Sequence, residues 1–157
     1  MKYAEWLETV PSEITNDPIW KLEVYRLGLF AGDIAWQDVQ FLAKKSLMLS
    51  IADQLHRSID SISVNLTEGY SRSKGLDRAR FIEASLGSAR ESRDWYYKSR
   101  HVLPAEVLKH RMGLTTRIVS MLAPMIPHQR KNAIREEQAE YNIKPSDFFV
   151  DSEVPFP

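Results

Sequence analysis

The sequence predicts an all-α fold, an up-down-up-down antiparallel four-helix bundle with an extended or partly disordered C-terminal tail. Three observations lead there. Apolar residues recur at steps of three and four along four long segments. The segments are joined by connections of about 2–7 residues, which makes sequence neighbours antiparallel neighbours. Gly and Pro number only six and eight in 157 residues and are unevenly placed, against an all-β chain.

The first helix is predicted over 18–43. Asp17 is placed to cap free N–H groups and Pro18 fits a first helical position. Trp20, Val24, Leu27, Ala31, Ile34, Val39 and Leu42 supply its apolar face, and Gly28 and Gly32 form a Gly-x-x-x-Gly pair suited to close packing. The second helix spans 46–68 with Leu47, Ile51, Leu55, Ile59, Ile62 and Leu66 in one stripe, and Gly69 stands where a left-handed cap is expected. After a loop at 70–75, the third helix covers 76–102. Its stripe mixes bulk with hydroxyls: Phe81, Ser85, Ser88, Ser92, Trp95 and Ser99, with Ala84, Gly87 and Ala89 beside them. Small residues let a neighbouring backbone come close, and hydroxyls satisfy buried polar partners. Leu103-Pro104 makes a tight connection. The fourth helix runs over 105–123, and Pro124 and Pro127 end or kink it. Residues 1–17 read as an N-terminal extension, 18–127 as the bundle, and 128–157 as an acidic tail whose first dozen residues suit a short helix.

Composition narrows the chemistry. Cysteine is absent, which excludes disulfides, thiolate catalysis and Cys-based metal centres. The first residues carry acids and no apolar run, so no signal peptide is expected, and no stretch approaches the length of a membrane span. A cytoplasmic location is the expectation. Net charge is zero, yet residues 1–53 sum to −3, 54–131 to +7 and 132–157 to −4. A basic middle between acidic ends suits an anion-binding surface, although helical surfaces are charged in any case.

One constellation stands out. Arg57, Ser61, Asn65 and Glu68 fall at steps of four, four and three, hence on one face of the second helix, and Ser88 and Glu91 lie within one turn on the third. Two readings are open. The line is either an active-site wall or a structural polar network that sets helix register, for example Arg57 bridging to Glu91 or Glu68.

The stretch Gln54–Gly75, with Phe81–Ser92 after it, resembles the four-helix bundle protein family. That family includes proteins encoded within intervening sequences of bacterial large-subunit ribosomal RNA genes and accessory proteins of diversity-generating retroelements. Its pattern is matched at Gln54, Leu55, Arg57, Ser61, Ile62, Asn65, Glu68, Gly69, Gly87, Ser88 and Glu91. Thr67 stands where Ala is usual, and Arg78 and Ala79 where the family has larger apolar residues. The resemblance covers about residues 18–126. It implies a ring-forming bundle, a homopentamer without catalysis, whose retroelement members bind nucleic acid and a reverse transcriptase.

Arg72, Lys74, Arg78 and Arg80 cluster around the loop, and Arg90, Arg93, Lys98 and Arg100 continue along the third helix, joined by Lys109, Arg111 and Arg117 on the fourth. Repeated around a ring they are candidate nucleic-acid contacts, with steep salt dependence. The competing account pairs them with Asp77, Glu83, Asp94 and Glu106 or with a neighbouring subunit. Metal and cofactor sites are not expected: Glu106 and His110 are four apart and single, whereas di-iron bundles need paired Glu-x-x-His steps. Phosphate-binding and nucleophile motifs are missing from the sequence. Trp95, Tyr96 and Tyr97 suit base stacking or a core or interface role. Three function classes follow. The first is a non-enzymatic, self-associating scaffold or adaptor for RNA, DNA or a reverse-transcriptase-like protein. The second is a protein-only adaptor. The third and poorest is an enzyme using Arg57, Asn65, Glu68 and Glu91.

Overall fold

In the computed structural model, which describes residues 1–72, 75–129 and 153–157, Pro18 opens a single 3-10 turn, Pro18–Lys21, rather than the long helix. Asp17 caps it as expected, its Oδ1 accepting from Ile19 N at 3.0 Å. Leu22 is extended, so the long helix begins one residue later. Ahead of that turn lie α1, Tyr3–Thr9, and α2, Ser12–Thr15; after it come α3, Glu23–Ala43; α4, Leu49–Tyr70; α5, Gly75–Lys98; α6, Ala105–Leu122; and α7, Met125–Gln129. A 3-10 turn at Ser46–Met48 precedes α4 and another, Ser99–His101, follows α5. No strand occurs among the described residues.

The four long helices touch in the cyclic order α3, α4, α5, α6 and back to α3, with α7 against α5. Their inner faces bury Leu27, Phe30, Ile34 and Leu42 of α3, Leu55, Ile59, Ile62 and Leu66 of α4, and Val107, Ile118, Val119 and Leu122 of α6. Full burial of such a side chain stabilises by roughly 1.5–3 kcal/mol. Leu47, counted on the second stripe, instead lies in the 3-10 turn and is exposed, because α4 starts two residues beyond it.

The least apolar helix, α5, is held by its small residues. Ser85 Oγ donates to the Ile62 carbonyl at 2.8 Å and Ser92 Oγ to Ser58 Oγ at 3.0 Å, both buried. Ala79 and Ala89 let the backbones approach. Gly69 does not form the left-handed cap that its position suggested: it is helical and buried, and no glycine among the described residues has positive φ. A Cβ on Gly69 would lie 2.8 Å from Phe81 Cβ, so the glycine serves helix contact instead. Gly28 plays the matching part between α3 and α4, where a Cβ would meet Ile62 Cγ2 at 3.2 Å.

Residues 1–17, set apart by the sequence as an extension, place Trp6 in the core, 3% exposed, with its ring 5.3 Å from Phe30 and 5.8 Å from Tyr3. Seven residues were too few to establish a period before Pro11. At the other end, α7 lies mostly ahead of the short helix expected over 128–139 and shares only His128 and Gln129 with it; residues 130–152 lie outside the described residues. Residues 153–157 have no helix or strand and return to the bundle, with Val154 buried. No helix among the described residues is long and apolar enough to cross a membrane.

Candidate functional site

The singled-out residues of α4 and α5 line the two banks of one seam. Ser58–Ser92 and Ile62–Ser85 fix the side on which the helices meet, and Ser61, Asn65 and Ser88 stand one step outward, half-buried. The anticipated bridge from Arg57 to Glu91 or Glu68 is not formed. Arg57 pairs with Asp53 one turn back, at 3.0 Å. Ser61 Oγ donates to the Arg57 carbonyl and Asn65 Nδ2 to the Ser61 carbonyl, each at 2.7 Å. Ser88 Oγ donates to the Ala84 carbonyl at 2.9 Å, and Glu91 accepts from Trp95 Nε1 at 3.1 Å. Glu68 is exposed and no side-chain partner is found among the described residues. The cause is geometric: the short hydroxyls inside the seam make the helix-to-helix joints, so the outer stripe closes on its own helices. Gly87 sits on the same outer surface, and a Cβ there would meet nothing within 4 Å.

The seven candidate cations among the described residues do not share one face. Arg72 lies over the Phe81 ring at 4.9 Å, and Arg78 Nη2 donates to the Arg72 carbonyl at 2.8 Å. Arg80 is loosely paired with Asp77 at 3.8 Å. Lys98 lies over Trp95 at 3.9 Å and Arg100 over Tyr97 at 4.2 Å. Arg90 is exposed and Arg93 half-buried, neither within salt-bridge distance of a carboxylate among the described residues. Lys74 lies outside the described residues. Along the exposed side of α5, Glu91 and Asp94 lie between the cations Arg80 and Arg90 on one side and Lys98 on the other.

Arg111, grouped above with the basic surface, is instead 1% exposed and the largest fully buried side chain among the described residues. Its Nε and Nη2 donate to the two oxygens of Asp38 at 2.6 and 3.1 Å. Tyr96 Oη donates to Asp38 Oδ2 at 2.9 Å. A guanidinium only donates, so His110 Nδ1, 2.8 Å from Nη1, is the acceptor there. Nη2 also reaches the Pro155 carbonyl at 3.0 Å. Burial pushes the Asp38 carboxyl up, against the Arg111 and Tyr96 bonds and the Arg111 charge, which pull it down. Burial, with the Asp38 charge, holds the Tyr96 hydroxyl well above its usual value, so it remains a donor. Sequence reasoning missed Asp38 and its partners. The available signal was an acid on the α3 stripe, four residues from both Ile34 and Leu42, facing an Arg on the α6 stripe four residues from Val107. Glu106 is exposed and His110 buried, so they do not converge, and no group of three acids or histidines among the described residues is placed to hold a metal ion.

The arrangement is that of a helical module with a buried, fully engaged ion pair and a polar seam outside. Residues 21–124 match the sequence model of the family described as 23S rRNA-intervening sequence protein. The chain belongs to that family. The match takes in the four long helices of this intervening-sequence protein and both banks of its seam, and begins after α1. A solved structure of a protein of unknown function from the S23 ribosomal protein family of Bacteroides thetaiotaomicron is similar to it in fold, with a TM-score of 0.62 and 21% identity. That likeness covers 66% of this chain and 98% of the other. No curated protein matches the sequence.

Proposed function

We propose that this intervening-sequence protein is a non-enzymatic scaffold or adaptor of the cytoplasm, an up-down-up-down bundle that assembles with copies of itself through the α4–α5 seam. The carrying observation is the seam. Among the described residues Ser61, Asn65, Ser88 and Glu91 are half-buried or exposed and bond only within their own helices, and they border Gly87, where an added Cβ would meet nothing within 4 Å. A second copy approaching there meets ready donors and acceptors and a helix surface with no side chain in the way. A ring of five is the assembly that the family resemblance implies. The buried charges support the non-enzymatic reading: Asp38, Tyr96 and Arg111 are bonded to one another and closed off from substrate.

Native mass measurement tests the assembly. The expected mass is a multiple of 18.2 kDa, about 91 kDa for five chains. Asn65→Arg with Ser88→Arg is expected to give monomers with an unchanged helical circular dichroism spectrum; a wild-type monomer at micromolar concentration defeats the proposal.

The partner is read in two ways. Nucleic acid is favoured by Arg90 and Arg93, which lack carboxylate partners among the described residues, and by Lys98 and Arg100 seated on aromatic rings. A protein-only adaptor is favoured by Glu91 and Asp94, which interrupt the run of cations along α5. Gel-shift titration at low and moderate salt separates them. Retardation that falls steeply with salt supports nucleic acid, and its absence at low salt leaves the protein partner.

A further inference from the structure

On the other flank of α4, between α3 and α4, a cavity of about 330 Å3 opens to solvent. Gly28 and Gly32 form part of its lining. A Cβ on Gly32 would come within 2.9 Å of Asp60 Oδ1, so glycine leaves room for that carboxylate to turn inward. Trp36, one turn beyond Gly32, is 54% exposed, an unusual place for the largest apolar side chain, and forms a T-shaped pair with His56, ring centroids 5.7 Å apart. Two carboxylates complete the lining. Asp60 Oδ2 lies 3.0 Å from His56 Nδ1, and Asp33 Oδ2 accepts from Trp6 Nε1 at 2.6 Å. Each is therefore fixed by one oxygen, and the second oxygen of each has no hydrogen-bond partner among the described residues. Among the described residues, no Lys or Arg lines the cavity.

We propose that this cavity binds a small organic cation bearing a guanidinium or alkylammonium group. An aromatic face beside oriented carboxylates is the arrangement that holds such groups, through cation–π attraction and charge-assisted hydrogen bonds. The volume lies at the small end of ligand sites, which suits a molecule or side chain of a few carbons. Partial burial raises the Asp60 pKa and Asp33 raises it further, while His56 opposes them. A bound cation relieves both carboxylates. A metal ion is the poorer occupant, since no group of three ligating side chains among the described residues converges.

The cation has two sources, a free molecule or an Arg or Lys side chain of a second copy, and only the second draws on the self-association proposed above. Calorimetric titration of the full chain with agmatine is expected to show saturable binding, weakened at least tenfold in Asp60→Asn and in Trp36→Ala and unchanged in Asp53→Asn. Both altered side chains are partly exposed, and circular dichroism verifies folding. Native mass measurement with and without agmatine separates the sources: an unchanged mass assigns the site to a free cation, and a fall in mass to a neighbouring subunit. An absence of saturable binding still supports the second source if Trp36→Ala and Asp60→Asn each lower the assembly mass. No binding with no change in mass overturns the proposal. So does binding that survives both substitutions, or equal binding of uncharged butylurea.

Discussion

Asp38 and Arg111 occupy positions that the helical period reserves for leucine, and that is why they escaped a reading based on apolar stripes. Being buried and mutually bonded, they are unequal to removal one at a time. Asp38→Ala leaves a guanidinium uncompensated in the core, which costs about 3–5 kcal/mol; a fall in melting temperature on the order of 10 °C is expected. Asp38→Leu with Arg111→Met is expected to recover most of that loss, and a double-mutant cycle by urea unfolding measures the coupling. Asp60 bears a different signature. Its folded pKa is raised above 3.8 by burial and by Asp33. The folded chain then holds the proton more tightly than the unfolded chain, so this group's contribution to stability is full below 3.8 and is lost as pH rises through the raised value. The stability of Asp60→Asn relative to wild type is therefore expected to increase with pH across that window, in urea midpoints taken at successive pH values.

The long helices were legible because their apolar residues repeat over many turns, and the small residues of α5 correctly announced close packing against α4. The ends were less so. Asp17-Pro18 starts a helical turn, but local capping cannot show that Leu22 will interrupt it. Gly69 read as a cap because glycine ends helices more often than it packs inside them, whereas here Phe81 needs the space. The polar stripe was legible as a face, and its bonding was not: the spacing shows which residues share a bank, while the choice between a cross-helix partner and the carbonyl four residues back depends on how far apart the banks stand. Gly69 and Gly87 turn this into a paired test. Gly69→Ala drives a methyl into Phe81 and is expected to destabilise by about 1–3 kcal/mol despite the better helix propensity. Within one chain Gly87→Ala meets open space, and in the monomeric Asn65→Arg, Ser88→Arg background it is expected to stabilise by about 0.5–1 kcal/mol. Thermal unfolding of each variant beside its parent checks both signs.

At the scale of the whole molecule the two chain ends close on each other over the bundle, a contact between residues too distant in sequence for any local pattern to signal. Val154 N donates to the Met1 carbonyl at 3.1 Å, and the Met1 ammonium meets Glu153 at 2.5 Å. Beneath them Pro155 supplies the carbonyl that receives Arg111 Nη2, and the Phe156 ring lies 5.7 Å from the guanidinium carbon. The acidic tail thus ends in an apolar plug over the one buried cation of α6. Its two parts differ in consequence. The ion pair at the surface is solvated, so Glu153→Gln is expected to leave the melting temperature unchanged within error. Deleting residues 153–157 uncovers Arg111 and removes its third acceptor. A charged donor left short of a partner costs about 1–3 kcal/mol, a fall of several degrees in melting temperature for a chain of this size. The same deletion in the Asp38→Leu, Arg111→Met background is expected to cost less, because no guanidinium then waits for the Pro155 carbonyl. Equal losses in the two backgrounds would show that the plug acts through apolar cover alone.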